Sequence, residues 1–123
     1  MDNIGIPICE SAKLEEGGKG VRFPVLAGGN AGTGFVVRYD KQVYAYLNRC
    51  AHVPIELDWN EGEFFDSGGL YLMCSTHGAL YTPEDGRCAA GPCRGGRLRA
   101  IAVHEKNGHV FWEPDDYVKP ITA

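Results

Sequence analysis

Two short stretches, Cys50-Ala51-His52 and Cys74-Ser75-Thr76-His77, each place one thiol and one imidazole close together in the chain. An interval of 21 residues separates His52 from Cys74. Thiolates and imidazoles are the protein ligands of zinc and of iron–sulfur centres. Two such pairs on separate loops therefore predict a metal site that is completed only when the loops meet.

The spacing within the first pair indicates which metal the site holds. A single residue, Ala51, lies between its two ligands, whereas structural zinc sites mostly leave two to four residues between ligands. A Cys-x-His step followed by Cys-x-x-His suits two irons, with one cysteine from each loop on one iron and one histidine from each loop on the other. A Cys₂His₂ zinc site is the alternative interpretation.

Composition limits the class of protein. A chain of 123 residues predicts one domain, and a hydrophobic fraction of 44% argues against disorder. The 17 glycines and 7 prolines favour many turns and short strands. A net charge of −4 argues against a nucleic-acid partner and is compatible with docking to a basic one.

The order of apolar and turn residues predicts an all-β, antiparallel fold. β-Branched and aromatic residues mark the strands, and Asp40-Lys41 and Lys106-Asn107-Gly108 mark two hairpin turns. Pro24 fits an edge strand or a strand end. We expect residues 1–18 to wrap the surface and 27–32 to form a loop. The predicted strands cover 21–25, 34–39, 42–48, 70–73, 79–81, 98–103 and 110–112.

The motif extends beyond the four ligands. His77 is followed by Gly78, and a third loop carries Gly91-Pro92. With these residues the chain resembles Rieske-type [2Fe-2S] proteins over roughly residues 45–113. The resemblance implies one Rieske domain over 1–123, an antiparallel β-sandwich or barrel with a small cluster-binding subdomain inserted at about 49–93.

The same resemblance implies a role for each site residue. Cys50 and Cys74 bind the inner iron as thiolates, and His52 and His77 bind the outer iron as neutral imidazoles. Neutral imidazoles lower the negative charge on the cluster and raise its potential to roughly −150 to +300 mV, against about −400 mV for plant-type ferredoxins. Three further residues are implied to surround the cluster. Gly78 lets the backbone pass close to the cluster, Tyr81 is a possible hydrogen-bond donor to its sulfur, and Pro92 covers one side of it.

Two departures from the respiratory members of the family bear on the potential. Ala79 stands where those proteins have a serine that donates to cluster sulfur. Ile55 and Thr76 stand where they have a disulfide between the cluster loops, so that bridge cannot form. We therefore expect a low to intermediate potential, in the lower half of the family range.

Three cysteines are not needed as ligands: Cys9, Cys88 and Cys93. An odd number of cysteines without a visible secretory signal disfavours a disulfide framework, so we expect Cys88 and Cys93 to be unpaired thiols. The absence of a signal peptide and of a long apolar run predicts a cytoplasmic chain without a membrane partner.

The resemblance implies a soluble ferredoxin with one [2Fe-2S] cluster, passing single electrons from a reductase to an oxygenase or a similar acceptor. We expect no catalytic activity of its own, because the second, mononuclear iron site of ring-hydroxylating oxygenases needs a further domain. Two alternatives stay open at this point. One is a permanently bound small Rieske subunit of a larger oxidoreductase, and the other is a structural Cys₂His₂ zinc-binding module.

Overall fold

A computed structural model describes residues 5–50, 55–58, 60–76 and 78–121. These residues form ten strands and one 3₁₀ turn, and no described helix is long and apolar enough to span a membrane. The elements are β1 (Ile6–Glu10), the 3₁₀ turn (Ser11–Lys13), β2 (Val21–Ala27), β3 (Asn30–Tyr39), β4 (Gln42–Leu47), β5 (Leu72–Met73), β6 (Leu80–Tyr81), β7 (Cys88–Ala90), β8 (Ala100–Lys106), β9 (His109–Glu113) and β10 (Val118–Lys119).

Seven strands form an antiparallel sheet in the order β1-β9-β8-β4-β3-β2-β10. The sheet curls, because the start of β8 pairs with β4 while the rest of β8 pairs with β9. As a result Phe23 on β2 and Trp112 on β9 meet across the interior, with ring centroids 5.4 Å apart. The closed side encloses one hydrophobic core, which confirms the predicted all-β sandwich or barrel.

The central strands β3 and β4 are buried on both faces. Successive side chains of a strand point to opposite faces, so Val36 and Ala45 enter the core of the curled sheet. Phe35, Val37 and Tyr46 point the other way, into a second core. Sequence positions 35–37 are therefore fully buried without any alternation of polarity.

The second core belongs to the lobe that carries the predicted ligands. Strands β5, β6 and β7 form a separate three-stranded sheet between β4 and β8 in the chain. Phe64 of this lobe stacks on Phe35 of β3, with ring centroids 3.9 Å apart. The lobe is thus packed directly on the large sheet. Its other fully buried side chains include Leu57, Leu72, Tyr81 and Leu98.

The seven predicted strands correspond to β2 to β6, β8 and β9, whereas β1, β7 and β10 were not predicted. The turn or loop predicted over 27–32 contains only Gly28 and Gly29, both with positive φ, because Ala27 already pairs with Asn30. The expectation for residues 1–18 is wrong within the described part, since β1 pairs with β9 and Ile6 lies opposite Trp112. Pro24 is confirmed at an open edge, because β10 pairs only with Leu26 and Ala27.

Candidate metal centre

Two buried thiols come from two different loops of the lobe. Cys50 follows strand β4 by three residues and is 3% exposed, and Cys74 follows β5 directly and is fully buried. Both belong to the same hydrophobic core. A thiol in such surroundings is shielded from water, which suits a sulfur ligand and protects a cluster from solvent.

Each thiol lies on a backbone turn closed by hydrogen bonds. The Cys50 amide donates to the carbonyl of Ile55 at 2.8 Å. In the second loop the Cys74 amide donates to the carbonyl of Ala79 at 2.9 Å, and the Gly78 amide donates to the carbonyl of Cys74 at 2.8 Å. In both loops the amide of the cysteine is therefore bonded to the carbonyl five positions further along the chain.

One hydrogen bond ties the two loops to each other. The Ser75 amide donates to the carbonyl of Leu57 at 2.9 Å, which fixes the second loop against the end of the first. Leu57 is fully buried, so this bond is protected from water. This hydrogen bond fixes the two loops relative to each other, and such pre-organisation is what a shared metal centre requires.

A buried polar clamp closes the base of the first loop. The Asn48 side chain accepts a hydrogen bond from the Leu57 amide at 2.8 Å and donates to the Asp58 carboxylate at 2.9 Å. The Asp58 side chain is fully buried and accepts a further hydrogen bond from the Gly62 amide at 2.9 Å. Arg22 approaches it at 3.8 Å. The sequence analysis missed this clamp, because Asn48 and Asp58 are ordinary loop residues until the chain folds.

Tyr81 lies beside the first thiol. Its hydroxyl oxygen is 3.2 Å from the Cys50 sulfur, and the side chain is fully buried on β6. A phenol O–H can donate to a thiolate sulfur, which stabilises the negative charge that sulfur carries. The Tyr81 hydroxyl is therefore within hydrogen-bond distance of one candidate sulfur ligand.

The two loop residues expected around the centre, Gly78 and Pro92, have different surroundings. Gly78 has φ of +74°, and a Cβ there would meet no described atom within 4 Å, so this position needs glycine for its backbone conformation. A Cβ on Gly91 would lie 3.0 Å from the Cα of Ala79, so the third loop packs on the second at this glycine. Pro92 is exposed on that third loop.

The prediction for Cys88 and Cys93 is wrong: these residues form a disulfide. They are five positions apart, at the start of β7 and in the loop after it, with Cα atoms 5.5 Å apart. The bond closes a ring that contains Gly91 and Pro92, and Cys93 is buried in the same core as Cys50 and Cys74. The prediction rested on the odd number of cysteines and on the missing secretory signal. In the folded chain, however, the turn after β7 brings these two side chains together.

The predicted ligands His52 and His77 lie outside the described residues. Among the residues that are described, no three His, Cys, Asp or Glu side chains are close enough to hold a metal ion. The described part nevertheless fits an iron–sulfur cluster. It supplies two buried sulfur ligands on loops tied together, and a hydroxyl donor at one sulfur.

The chain belongs to the Rieske [2Fe-2S] domain family, whose model matches residues 5–112. Its cofactor is accordingly a [2Fe-2S] cluster. No curated protein matches the sequence.

Solved structures of similar fold include ferredoxins, two of them named for carbazole 1,9a-dioxygenase. The ferredoxin of carbazole 1,9a-dioxygenase from Nocardioides aromaticivorans IC177 is 23% identical, with a TM-score of 0.69 over 89% of this chain and 97% of that one. A ferredoxin of Sphingomonas yanoikuyae B1 is 20% identical, with a TM-score of 0.68 over 90% and 99%. A chain in a complex of reduced oxygenase and oxidized ferredoxin of carbazole 1,9a-dioxygenase is 24% identical, with a TM-score of 0.70 over 98% and 100%. These likenesses show the fold.

Proposed function

We propose that this chain is a one-electron carrier, a ferredoxin that takes electrons from a reductase and passes them to an oxygenase or a similar acceptor. The observation that carries this proposal is the pair of buried thiols on two tied loops of a Rieske-family chain. Ferredoxins of dioxygenase systems share the fold over nearly their whole length, which supports a carrier. A permanently bound subunit would use the same site and would differ in co-purifying with its partner at fixed stoichiometry.

We propose Cys50, Cys74, His52 and His77 as the four ligands, with the cysteines on one iron and the histidines on the other. The bound cluster supplies reversible one-electron chemistry without making or breaking bonds to a substrate. The protein holds the two sulfur ligands at a fixed separation, excludes water from them, and places the Tyr81 hydroxyl 3.2 Å from the Cys50 sulfur. These contacts decide how strongly the protein favours the extra negative charge of the reduced state.

The first experiment is metal analysis with electron paramagnetic resonance. We expect two irons and two sulfides per chain, and a signal that develops only on reduction with dithionite. Redox titration should follow a one-electron curve, with about 59 mV per tenfold change in ratio. A colourless protein that binds one zinc ion per chain would overturn the proposal in favour of the structural zinc module.

The second experiment tests the ligand histidines. His52→Ala and His77→Ala should each abolish the reduced-state signal, because each removes a ligand of the outer iron. The matched controls are His104→Ala and His109→Ala at the β8–β9 hairpin, which lies on the large sheet outside the lobe. Loss of the signal in a control variant, or its survival in a ligand variant, would contradict the assignment.

A further inference from the structure

The charges of this chain are separated between its loops. We define the ligand loops as residues 47–55, 74–82 and 87–99, the segments that carry or adjoin the predicted ligands. These segments contain five arginines (Arg49, Arg87, Arg94, Arg97, Arg99) and no aspartate or glutamate. The rest of the chain then carries seven of the 12 basic residues and all 16 acidic ones. The ligand loops are therefore strongly positive in a chain of net charge −4.

The fold gathers three of these arginines beside a ligand. A groove of about 320 Å³ is lined by Leu47, Arg49, Cys50, Arg97, Arg99 and Tyr117. We call this cavity the arginine groove. Cys50, which we propose as a sulfur ligand, forms one of its walls. Because Arg49 immediately precedes Cys50, and Arg97 and Arg99 lead into β8, the groove joins the first and third ligand loops.

Two of the arginines in the groove have partners. Arg99 lies over the ring of Tyr117, with its guanidinium carbon 4.6 Å from the ring centroid, and pairs with Asp115 at 3.3 Å and Asp116 at 3.9 Å. Arg97 donates to the backbone carbonyl of Asp85 at 3.1 Å, a neutral acceptor.

Arg49 supplies the uncompensated charge of the groove. Its side chain is exposed and makes no ion pair or hydrogen bond with the described residues. Arg97 likewise has no carboxylate within 4 Å among the residues that the structure places. Arg97 does share a cavity with Glu84 and Asp85, so Arg49 is the positive group left open to an incoming anion next to Cys50. Arginine binds carboxylates through two parallel hydrogen bonds, which makes this side chain well suited to an acidic partner.

The opposite end of β4 carries the acidic residues. A separate cavity of about 710 Å³ is lined in part by Glu16, Asp40, Asp66 and Glu84. Asp40 lies in the turn before β4, and Arg49 lies after its end, so the strand separates them by roughly 20 Å. Asp40 therefore does not cancel the charge of Arg49. A local positive charge orients charged partners during approach.

We infer that the arginine groove is the electron-exchange face of this protein and that it binds a redox partner which presents aspartate or glutamate side chains. This inference rests on the proposed function, since it concerns where an electron carrier meets its partner. The overall charge of −4 would suggest a basic partner, and the local charge beside Cys50 reverses that expectation. A partner seated there would be close to the centre, with its carboxylates on Arg49 and Arg97.

The test uses two inorganic one-electron oxidants of opposite charge on the dithionite-reduced protein. Ferricyanide and tris(phenanthroline)cobalt(III) each accept one electron, becoming ferrocyanide and the cobalt(II) complex, with no proton or bond transferred. In stopped-flow measurements we expect the ferricyanide rate to fall as salt rises, and the cobalt rate to rise. The reverse salt dependence would show that the net charge governs approach and would overturn the inference.

The decisive variants carry the same change of net charge at different places. Arg49→Gln combined with Arg97→Gln should slow the ferricyanide reaction by at least ~3-fold at low salt. Lys41→Gln combined with Lys106→Gln, at the two hairpin turns remote from the ligand loops, should change it much less. The single variant Arg49→Gln, at an exposed side chain, serves if the double variant fails to fold. Equal slowing by both double variants would refute a local role for the groove.

Poly-L-glutamate tests the carboxylate partner directly. We expect it to slow the ferricyanide reaction of the unaltered protein and to have little effect on Arg49→Gln. No effect on the unaltered protein would exclude a carboxylate-binding face and leave only a site for small anions. The iron content and reduced-state spectrum of each sample are measured first. A missing cluster would mean failure of the proposed function, whereas an intact cluster with the wrong salt dependence would mean failure of this inference alone.

Discussion

The contact between the Tyr81 hydroxyl and the Cys50 sulfur is the described interaction that bears most directly on the reduction potential of the cluster. The two atoms are 3.2 Å apart in a fully buried environment. A hydrogen bond to a charged group contributes more than one between neutral groups, because it stabilises the charge as well as the contact. At sulfur, it lowers the cost of adding an electron, so Tyr81 should raise the potential.

Tyr81→Phe should lower the midpoint potential by roughly 50 mV, since a difference near 1 kcal/mol corresponds to about that shift for one electron. Redox titration monitored by visible absorption measures it. The control is Tyr46→Phe, in the same core, whose hydroxyl donates to the carbonyl of Pro83 at 2.6 Å and not to a sulfur. Burial raises the pKa of Tyr46, so it remains a donor throughout the working pH range. Equal shifts in the two variants would contradict the prediction.

Among the elements, the loop that carries Cys50 depends on the polar clamp at its base. Asn48 is 5% exposed, and its side chain bonds both the Leu57 amide and the Asp58 carboxylate. Without that side chain two buried polar groups lose partners, and buried polar groups without hydrogen bonds are costly. The clamp therefore holds the loop in the conformation that presents the ligand.

Asn48→Ala should reduce the free energy of unfolding by about 2–3 kcal/mol and speed the loss of iron to a chelator. Denaturant unfolding and the rate of bleaching measure the two effects. The matched control is Asn60→Ala, which removes an exposed hydrogen bond to Glu63 in the same lobe and should change neither by much. If Asn48→Ala retained iron as well as Asn60→Ala does, the clamp would have no role in holding the loop.

The disulfide Cys88–Cys93 constrains the third loop. It closes a ring around Gly91 and Pro92, and Gly91 packs against Ala79 of the second loop. Closing a loop of this length lowers the entropy of the unfolded chain by the equivalent of about 2 kcal/mol. The constraint acts where the third loop meets the second.

In the double variant Cys88→Ser, Cys93→Ser, the free energy of unfolding should be about 2 kcal/mol lower than in the unaltered protein. This variant should also lose iron faster. Unfolding in denaturant and chelator bleaching again provide the measurements. Cys9→Ser is the control, because Cys9 lies on β1 at the edge of the large sheet and forms no disulfide. The prediction fails if the double variant is as stable as Cys9→Ser.

For the molecule as a whole, the free energy of unfolding should depend on pH through a few carboxyl groups. The hydrogen bond from Arg38 lowers the pKa of Glu105, that from Thr82 lowers the pKa of Asp85, and that from the Val118 amide lowers the pKa of Asp115. A group whose pKa is lower in the folded state favours folding above its unfolded pKa of about 4. This contribution is lost as the pH falls through the folded pKa.

Glu105→Gln tests this pH dependence, because Arg38 bonds both oxygens of Glu105, at 3.2 and 2.7 Å, and also joins β3 to the 3₁₀ turn. At pH 7 the variant should lose about 1 kcal/mol of unfolding free energy, and the difference should shrink as the pH falls through the lowered folded pKa of Glu105. The control is Glu113→Gln, which changes a half-exposed glutamate beside His104 and experiences the same effect of acid on the metal centre. A difference that does not shrink as the pH is lowered would contradict the assigned cause.

The sequence by itself determined the family and most of the strands, and it predicts the four ligands. Ligand spacing and hairpin turns are local properties: Asn107-Gly108 needs only its neighbours to form a turn, with positive φ at both residues. The strand β1 was not predicted, because its short apolar segment becomes a strand only when β9 offers an unpaired edge.

Only the tertiary structure decided the Asn48–Asp58 clamp, the Cys88–Cys93 disulfide and the arginine groove. Each joins side chains that mean little separately in the sequence, because hydrogen bonds, disulfides and charge effects depend on distances that the folded chain sets. The net charge of −4 is a sum over the chain, whereas a partner meets the local field at Arg49 and Arg97. Local patterns predict the ligands, and packing fixes the surroundings of the described cysteines.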